Sequence, residues 1–503
     1  MKSLTTFLGL LLLLCVSSCS NVNEHMEEMI PADATAVYCV KMPSLLKKAG
    51  LMTDDQLTIP SELKEIISSN EGAWASEFLG NLKTSGIDLA HNIYFFFTQK
   101  TFRYVALVAI NDVEALKQLI EHRTGERFKQ LEGVDFLRYQ NFTFAIDDDV
   151  LFWGRENRTT DDTVLANAAS AMLDKNAKSM LEVSDMKECI DHDAEINAYL
   201  DVKGFNAMLS TIPSVKDVMA KYPLLSFFTD SDIKALTFHM KFEEDGANLK
   251  AQFKADENSD FVTLLNTTLS RPSNEFLKAM PTSMKYVCAL SVNGKQLAQL
   301  EQVKKSLNLL NNLPSMEKLN VKSIVETFNG PIAIGVSPSY MSSGDESMGW
   351  FDNMNVAIVA QSSNPDFVIN TIKNFAAEMG QPDFLKDGHH VYNYQGMPMY
   401  VGNMGNVVYA MRLDHELTEG FYDDYPDLKA RFAKSKFGFF AQADAGQMQG
   451  LLNFGFSSYK DGEGLFYTAR ESDNAALTFI SILCTIAPQA QRDESDYVDG
   501  YDI

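Results

Sequence analysis

The sequence predicts an α+β protein of two related halves, each with a mainly antiparallel sheet packed by helices. Three observations point there: short apolar runs recur in the same order in both halves, turn-forming residues join neighbouring runs, and helical stretches fall between them. With 503 residues and 46% apolar content, the chain is long enough for two substantial cores.

The opening residues bear on location rather than fold. Met1 and Lys2 give a basic start, and Phe7 to Val16 form an apolar run too short to cross a bilayer permanently. Val16-Ser17-Ser18-Cys19 then puts small residues before a cysteine. This order resembles a bacterial lipoprotein signal, so residues 1–18 are expected to be removed and Cys19 to carry lipid. The polar stretch Ser20 to Glu28 makes residues 19–29 an expected flexible tether. Its acids Glu24, Glu27 and Glu28 resemble the surface-export signals of Bacteroides-like bacteria. The expected location is the outer membrane, facing the periplasm or exposed at the cell surface.

A first domain is expected over residues 30–275 and a second over 276–488. Ala36-Val37-Tyr38-Cys39-Val40 and the helical Ser44 to Ala49 match Lys285 to Leu290 and the helical Gly294 to Leu300. The strand Tyr104 to Ala109 and the helix Val113 to His122 match Asn355 to Ala360 and Asp366 to Glu378. The first residues of those strands are 251 apart, close to the 249 separating Cys39 from Cys288. A third correspondence sets the hairpin Val134–Tyr139 and Phe142–Ile146 against Val391–Tyr394 and Met397–Val401. Asp147-Asp148-Asp149 and Asn403 to Asn406 read as the next turns, before Val150 to Trp153 and Val407 to Ala410. Farther on, Ile233–Met240 and Leu249–Ala255 flank a hairpin turn at Glu243 to Gly246, and Lys460 to Gly464 reads as a similar turn. Helices are expected over Asp260 to Leu269 and Ala475 to Cys484, with Thr163–Met172 and Ser214–Phe228 as insertions in the first half. Residues 489–503 are expected to form an acidic, flexible tail.

The formal charge of −24 repels phosphates and makes nucleic acid a poor partner. Of six cysteines, Cys15 leaves with the signal and Cys19 takes lipid. Cys39 and Cys288 each sit in an apolar run and read as small buried thiols rather than disulfide partners.

Candidate sites are sparse, and no catalytic, metal or cofactor signature emerges. Asp147-Asp148-Asp149 could supply oxygens to calcium, but the EF-hand spacing is absent and a turn explains it better. Asp191-His192-Asp193 and His389-His390 contain plausible metal ligands but match no zinc pattern, and adjacent residues in a strand point oppositely. No nucleophile elbow or complete phosphate-binding glycine motif occurs. Most aromatics read as core, especially Phe95-Phe96-Phe97 and Tyr38. The flexible polar loop before Trp350 and Phe351, with Asp345 and Glu346, is the candidate ligand site.

Cys19, Ile30-Pro31-Ala32-Asp33-Ala34, the strand through Val40 and Ser44 to Leu51 resemble a family of uncharacterised Bacteroides-type lipoproteins, the domain of unknown function DUF4836. The resemblance implies an envelope location and carries no catalytic motif. The expected role is therefore noncatalytic binding of an envelope protein or glycan, with the membrane held through the N-terminal lipid and no cofactor. A glycan or peptide hydrolase and a structural envelope component are the alternatives.

Overall fold

The computed structural model describes residues 22–53, 56–61, 63–65, 85–98, 100–157, 160–174, 178–209, 233–243, 246–258, 260–301, 303–304, 307, 320–338, 354–394, 397–417, 420–445, 448–470 and 473–483. The signal, Cys19, the insertion Ser214–Phe228, the loop residues Asp345, Glu346, Trp350 and Phe351, and the tail 489–503 lie outside the described residues.

The runs of alternating β-branched and aromatic residues become strands. These are β1 (Ala36–Val40), a short pair β2 (Met52–Thr53) and β3 (Gln56–Leu57), β4 (Ile93–Phe97), β5 (Phe102–Ala109), β6 (Lys129–Leu131), β7 (Val134–Tyr139), β8 (Phe142–Asp147), β9 (Val150–Glu156), β10 (Ile196–Asp201), β11 (Ile233–Glu243) and β12 (Gly246–Ala255). After Glu275–Lys278 come β13 (Tyr286–Asn293), β14 (Phe328–Pro338), β15 (Met354–Ser362), β16 (Phe384–Lys386), β17 (His389–Tyr394), β18 (Met397–Met404), β19 (Val407–Arg412), β20 (Phe437–Ala445), β21 (Met448–Ser458) and β22 (Asp461–Thr468). Apart from β2 and β3, they form one 20-stranded sheet in a mixed α+β fold, with antiparallel pairing throughout and helices packed on both faces.

The pairings run β6-β7-β8-β9-β5-β4-β1-β10-β11-β12 and continue β22-β21-β20-β13-β14-β15-β19-β18-β17-β16. Outward from β12 and β22 the steps are the same on both sides: a three-stranded meander, one long-range strand, a hairpin and a four-stranded meander. At the junction Leu249 faces Gly464, flanked by Ala247 with Phe466 and Ala251 with Gly462. The glycines are sterically required there. A Cβ on Gly464 would lie 2.5 Å from the Phe454 ring, and one on Gly462 would lie 2.5 Å from the Phe456 ring.

Helices form where local caps and an apolar stripe coincide. Val113–Thr124 starts at Asp112, whose carboxylate accepts from the Ala115 N–H, and stops at Gly125, whose φ of 74° suits a left-handed cap. Its Leu116 and Ile120 pack on Leu137, Ile146 and Leu151. Pro365–Glu378 begins at Asn364, which caps the Phe367 N–H, and packs Val368, Ile369 and Ala376 on Tyr392, Val401 and Val408. A buried clip ties the helix Met42–Lys48 to the sheet. Glu195 accepts from Ser44 Oγ (2.7 Å) and the Phe242 N–H (2.8 Å) and pairs with Lys48 (3.0 Å). Burial opposes its charge, but these donors outweigh it and hold the carboxyl below its usual range.

Three expectations need correction. The segment 19–29 is not all tether, because residues 22–29 form a helix with Met26, Met29 and Ile30 buried in the first core. That core also holds Val37, Cys39 and Phe96. Cys39 and Cys288 are not equivalent: Cys39 is buried, whereas Cys288 points to the opposite, exposed face. The last turn falls at Tyr459-Lys460, since Asp461 to Gly464 already belong to β22.

Two outcomes follow for stability. Gly464→Val should destabilise the protein by about 1–3 kcal/mol through forced overpacking, read as a lowered denaturant midpoint. Glu27 sits under its own helix and accepts from the Tyr94 hydroxyl at 2.8 Å. Burial raises its carboxyl above 4.5 despite that bond. Helix docking is therefore favoured in acid and loses that contribution as pH rises through the raised value. Glu27→Gln should raise amide protection of residues 22–29 at pH 7 and flatten its pH dependence, measured by hydrogen exchange corrected for intrinsic rates.

Candidate binding face

Alternation along a strand sends side chains to two faces, so the register decides what each face carries. In β1, Val37 and Cys39 enter the first core while Tyr38 points to the other side. On Tyr38's side, one cross-strand row runs Phe144, Trp153, Ala106, Phe95, Tyr38, Ala198, Phe238, Ala251, Gly462, Phe456, Phe437, Leu290 and Ile332. This face is continuous across both sides of the junction.

Helices cover the face in patches. Val113–Thr124 lies over β7 to β9 and Pro365–Glu378 over β17 to β19, while Met42–Lys48 and a helix over 475–483 pack on β11, β12, β21 and β22. Between these covers, two apolar strips remain only partly screened. The first is aromatic. Tyr38, 39% exposed, meets Phe97 edge-on at 6.1 Å, and Phe97 meets Tyr104 at 6.1 Å. Trp153 stacks on Phe144 at 6.4 Å, and Arg155 lies 6.0 Å from the Phe142 ring centre.

The second strip occupies the corresponding strands beyond the junction and is mainly aliphatic. Ile334 pairs with both Cys288 and Ile358, and the two isoleucines are 49% and 47% exposed. Tyr286 and Leu290 extend it along β13. The apolar surroundings push the Cys288 thiol up, so it offers little thiolate. These surfaces can bury apolar groups of a partner.

The sequence candidates for metal or polar chemistry are dispersed. Asp148 sits in the β8–β9 turn with φ 47°, and the Asp149 carboxylate lies 3.5 Å from His25. Asp191 pairs with Lys187, Asp193 with Lys241, and His192 stacks on His239 at 4.0 Å. Burial, helped by His192, pushes His239 down to about 4. Next along the chain, His389 contacts the Tyr409 hydroxyl while His390 meets Asp383 at 2.8 Å. His415 pairs with Asp414 at 2.6 Å. Among the described residues, no group of three or more His, Cys, Asp or Glu converges as metal ligands.

A hollow of about 430 Å³ opens beside the β18–β19 turn, lined by Asn329, Gln361, Ser362, Ser363, Gly405 and Asn406 among others. Its hydroxyls are already engaged, with Ser362 donating to Thr327 Oγ1 (3.0 Å) and Ser363 to the Thr327 carbonyl (2.9 Å). No carboxylate, imidazole or thiol lines it. The loop residues Asp345, Glu346, Trp350 and Phe351 lie outside the described residues.

The sequence places Tyr38 and Phe95-Phe96-Phe97 in the core, but only Phe96 is fully buried, as the inward residue between two outward ones in an alternating strand. The signal that separates them is period two within β1, β4 and β13, which marks one outward residue for every inward one.

A family model described as "Domain of unknown function (DUF4836)" matches residues 26–421. No curated protein matches the chain. Among solved structures, crystal form I of TP0453 is similar at 10% identity and TM-score 0.28, covering 45% of this chain and 77% of that one. Crystal form III has 11% identity, TM-score 0.29 and coverage of 49% and 87%. Crystal form IV has 11% identity, TM-score 0.30 and coverage of 45% and 79%. Among the described residues, no helix is long and apolar enough to cross a membrane, which says nothing about strands.

Ile334→Ser should cost less than about 1 kcal/mol, because that side chain is half in water already. Val287→Ser, at a buried position of the neighbouring strand, should cost about 2–3 kcal/mol. Equal losses in chemical denaturation would show that the second strip is core.

Proposed function

The chain belongs to the DUF4836 family, and from that membership we propose a noncatalytic, lipid-anchored envelope protein that binds an apolar segment of another envelope protein. The lipid is carried on Cys19 after removal of residues 1–18, in the manner of Bacteroides-type lipoproteins, and the body stands at the outer membrane. The two halves are copies of one duplicated α+β unit, a reading supported by the matching order of strand pairings about the Leu249–Gly464 pair.

One observation carries the binding role: an apolar strip stays open at the same strands on both sides of the junction. Exposed apolar surface concentrated in this way marks an interaction site more often than scattered surface residues do. A protein segment suits the second strip better than a glycan, since Leu290, Ile334 and Ile358 offer no hydrogen bonds to sugar hydroxyls.

Intact mass analysis of the membrane-extracted protein is expected to show acyl chains on Cys19, and Cys19→Ser should move the protein to the soluble fraction. Crosslinking in intact cells should give a defined partner that Ile334→Asp with Ile358→Asp abolishes while the fold is retained. An unmodified Cys19 would refute the anchor. Unchanged crosslinking by that folded double variant would refute the binding face.

A further inference from the structure

Only Ser20 and Asn21 separate Cys19 from the helix over 22–29. Three peptide steps span at most about 10 Å. That helix is not a free leader, because Met26, Met29 and Ile30 are buried in the first core. Polar contacts hold it as well: Asn23 accepts from the Asn92 N–H at 3.0 Å, and Glu27 accepts from Tyr94.

These contacts fix which end of the sheet lies near the anchor. Asn92 immediately precedes β4, and His25 faces Asp149 in the turn before β9. The Asp149 carbonyl accepts from the Ile110 N–H at 2.7 Å, just past the end of β5. The pairing of Ala109 and Asp147 with Val150 keeps the ends of β5, β8 and β9 together. At the opposite end of β8 stands the Gln140-Asn141 turn, about 20 Å away for a six-residue strand.

We infer that the strand ends around Asn92, Asn111 and the β8–β9 turn form a membrane-apposed surface, held against lipid headgroups by the docked helix 22–29. This rests on lipidation of Cys19 and adds the orientation of the body to it. A flexible tether would let the protein tumble above the bilayer; a docked one keeps this end down. The partner is the lipid surface itself. Apposition comes from covalent reach, because the nearby acids Glu24, Glu28 and Asp148 supply no attraction to anionic headgroups.

The test uses the full lipidated protein in phosphatidylcholine–phosphatidylethanolamine vesicles containing a headgroup nitroxide, a short-range quencher. Fluorophores are placed at Asn111→Cys and, separately, at Asn141→Cys, after Cys288→Ser and Cys484→Ser. Burial pushes the Cys39 and Cys189 thiols up to about 12, so they stay unlabelled. Quenching should be several-fold stronger at Asn111→Cys than at Asn141→Cys. A Gly/Ser linker of about 20 residues between Asn21 and Val22, with an r.m.s. span near 25 Å, should erase the difference. Equal quenching at both turns, with mass analysis of the same sample showing lipid on Cys19, would overturn the inference and leave the anchor standing. Absence of lipid in that mass spectrum would instead overturn the anchor on which it rests.

Discussion

Antiparallel pairing through 20 strands, with register shifts confined to strand ends, is the constraint on which this structure depends. Side-chain direction reverses at every residue, so a slip of one position at any pairing would exchange the two faces from there outward. The β12–β22 junction is the most demanding step, since it joins residues far apart in sequence with no turn to set the register. Gly462 and Gly464 seat the rings of Phe456 and Phe454, from the hairpin neighbour β21, over bare backbone, and a Cβ on Gly462 would also lie 2.9 Å from the Ala251 carbonyl of β12. The cross-strand ladder supplies the attachment at the junction.

Polar contacts then fix pieces that apolar packing alone would leave free to slide. Arg138 Nε donates to the buried Glu156 at 2.8 Å, and the same guanidinium reaches Asp162 at 3.2 Å, tying β7 to β9 and to the helix Asp162–Leu173. Glu195 does the same for Met42–Lys48 from the other face. Glu27 differs in sign. It has one hydroxyl donor against the burial of its carboxylate and the nearby charge of Asp191, so the helix it belongs to is the pH-sensitive attachment.

Local signals make much of the fold legible in the sequence. The hairpin turn at Glu243 to Gly246 and the helical stretches that follow Ala109 and Ala360 are written in short local patterns, and the structure keeps their order. What escapes is information spread over distance. The cysteine offset of 249 looks like part of a repeat, but a change of one residue in a strand reverses the face, and it sends Cys39 inward and Cys288 outward. Ser20 to Glu28 reads as a tether because polar residues dominate its composition, while Met26 and Met29, three apart on a helix, decide the outcome. The bare strips are hidden for a related reason. Whether Tyr38 or Ile334 is covered depends on where helices from other parts of the chain come to rest, and the strand sequence does not encode that. The loop with Trp350 and Phe351 stands out by composition alone.

The bare strips and the proposed lipid anchor constrain each other. A residue such as Ile334 exposes apolar area that a soluble body would gain by covering, and nearby helices show that this face can be covered. Leaving corresponding strips open on both sides of the junction is therefore better explained by an external occupant than by loose packing at one place. An anchor that lets the body swing freely would expose both strips to every hydrophobic surface nearby, including the bilayer. Under the proposed anchoring, the docked N-terminal helix would limit that freedom: it would hold strand ends toward the headgroups and leave the sheet face, which runs along those strands, directed sideways. In that proposed orientation, partners reaching the face would come from the same membrane plane or from the space just above it.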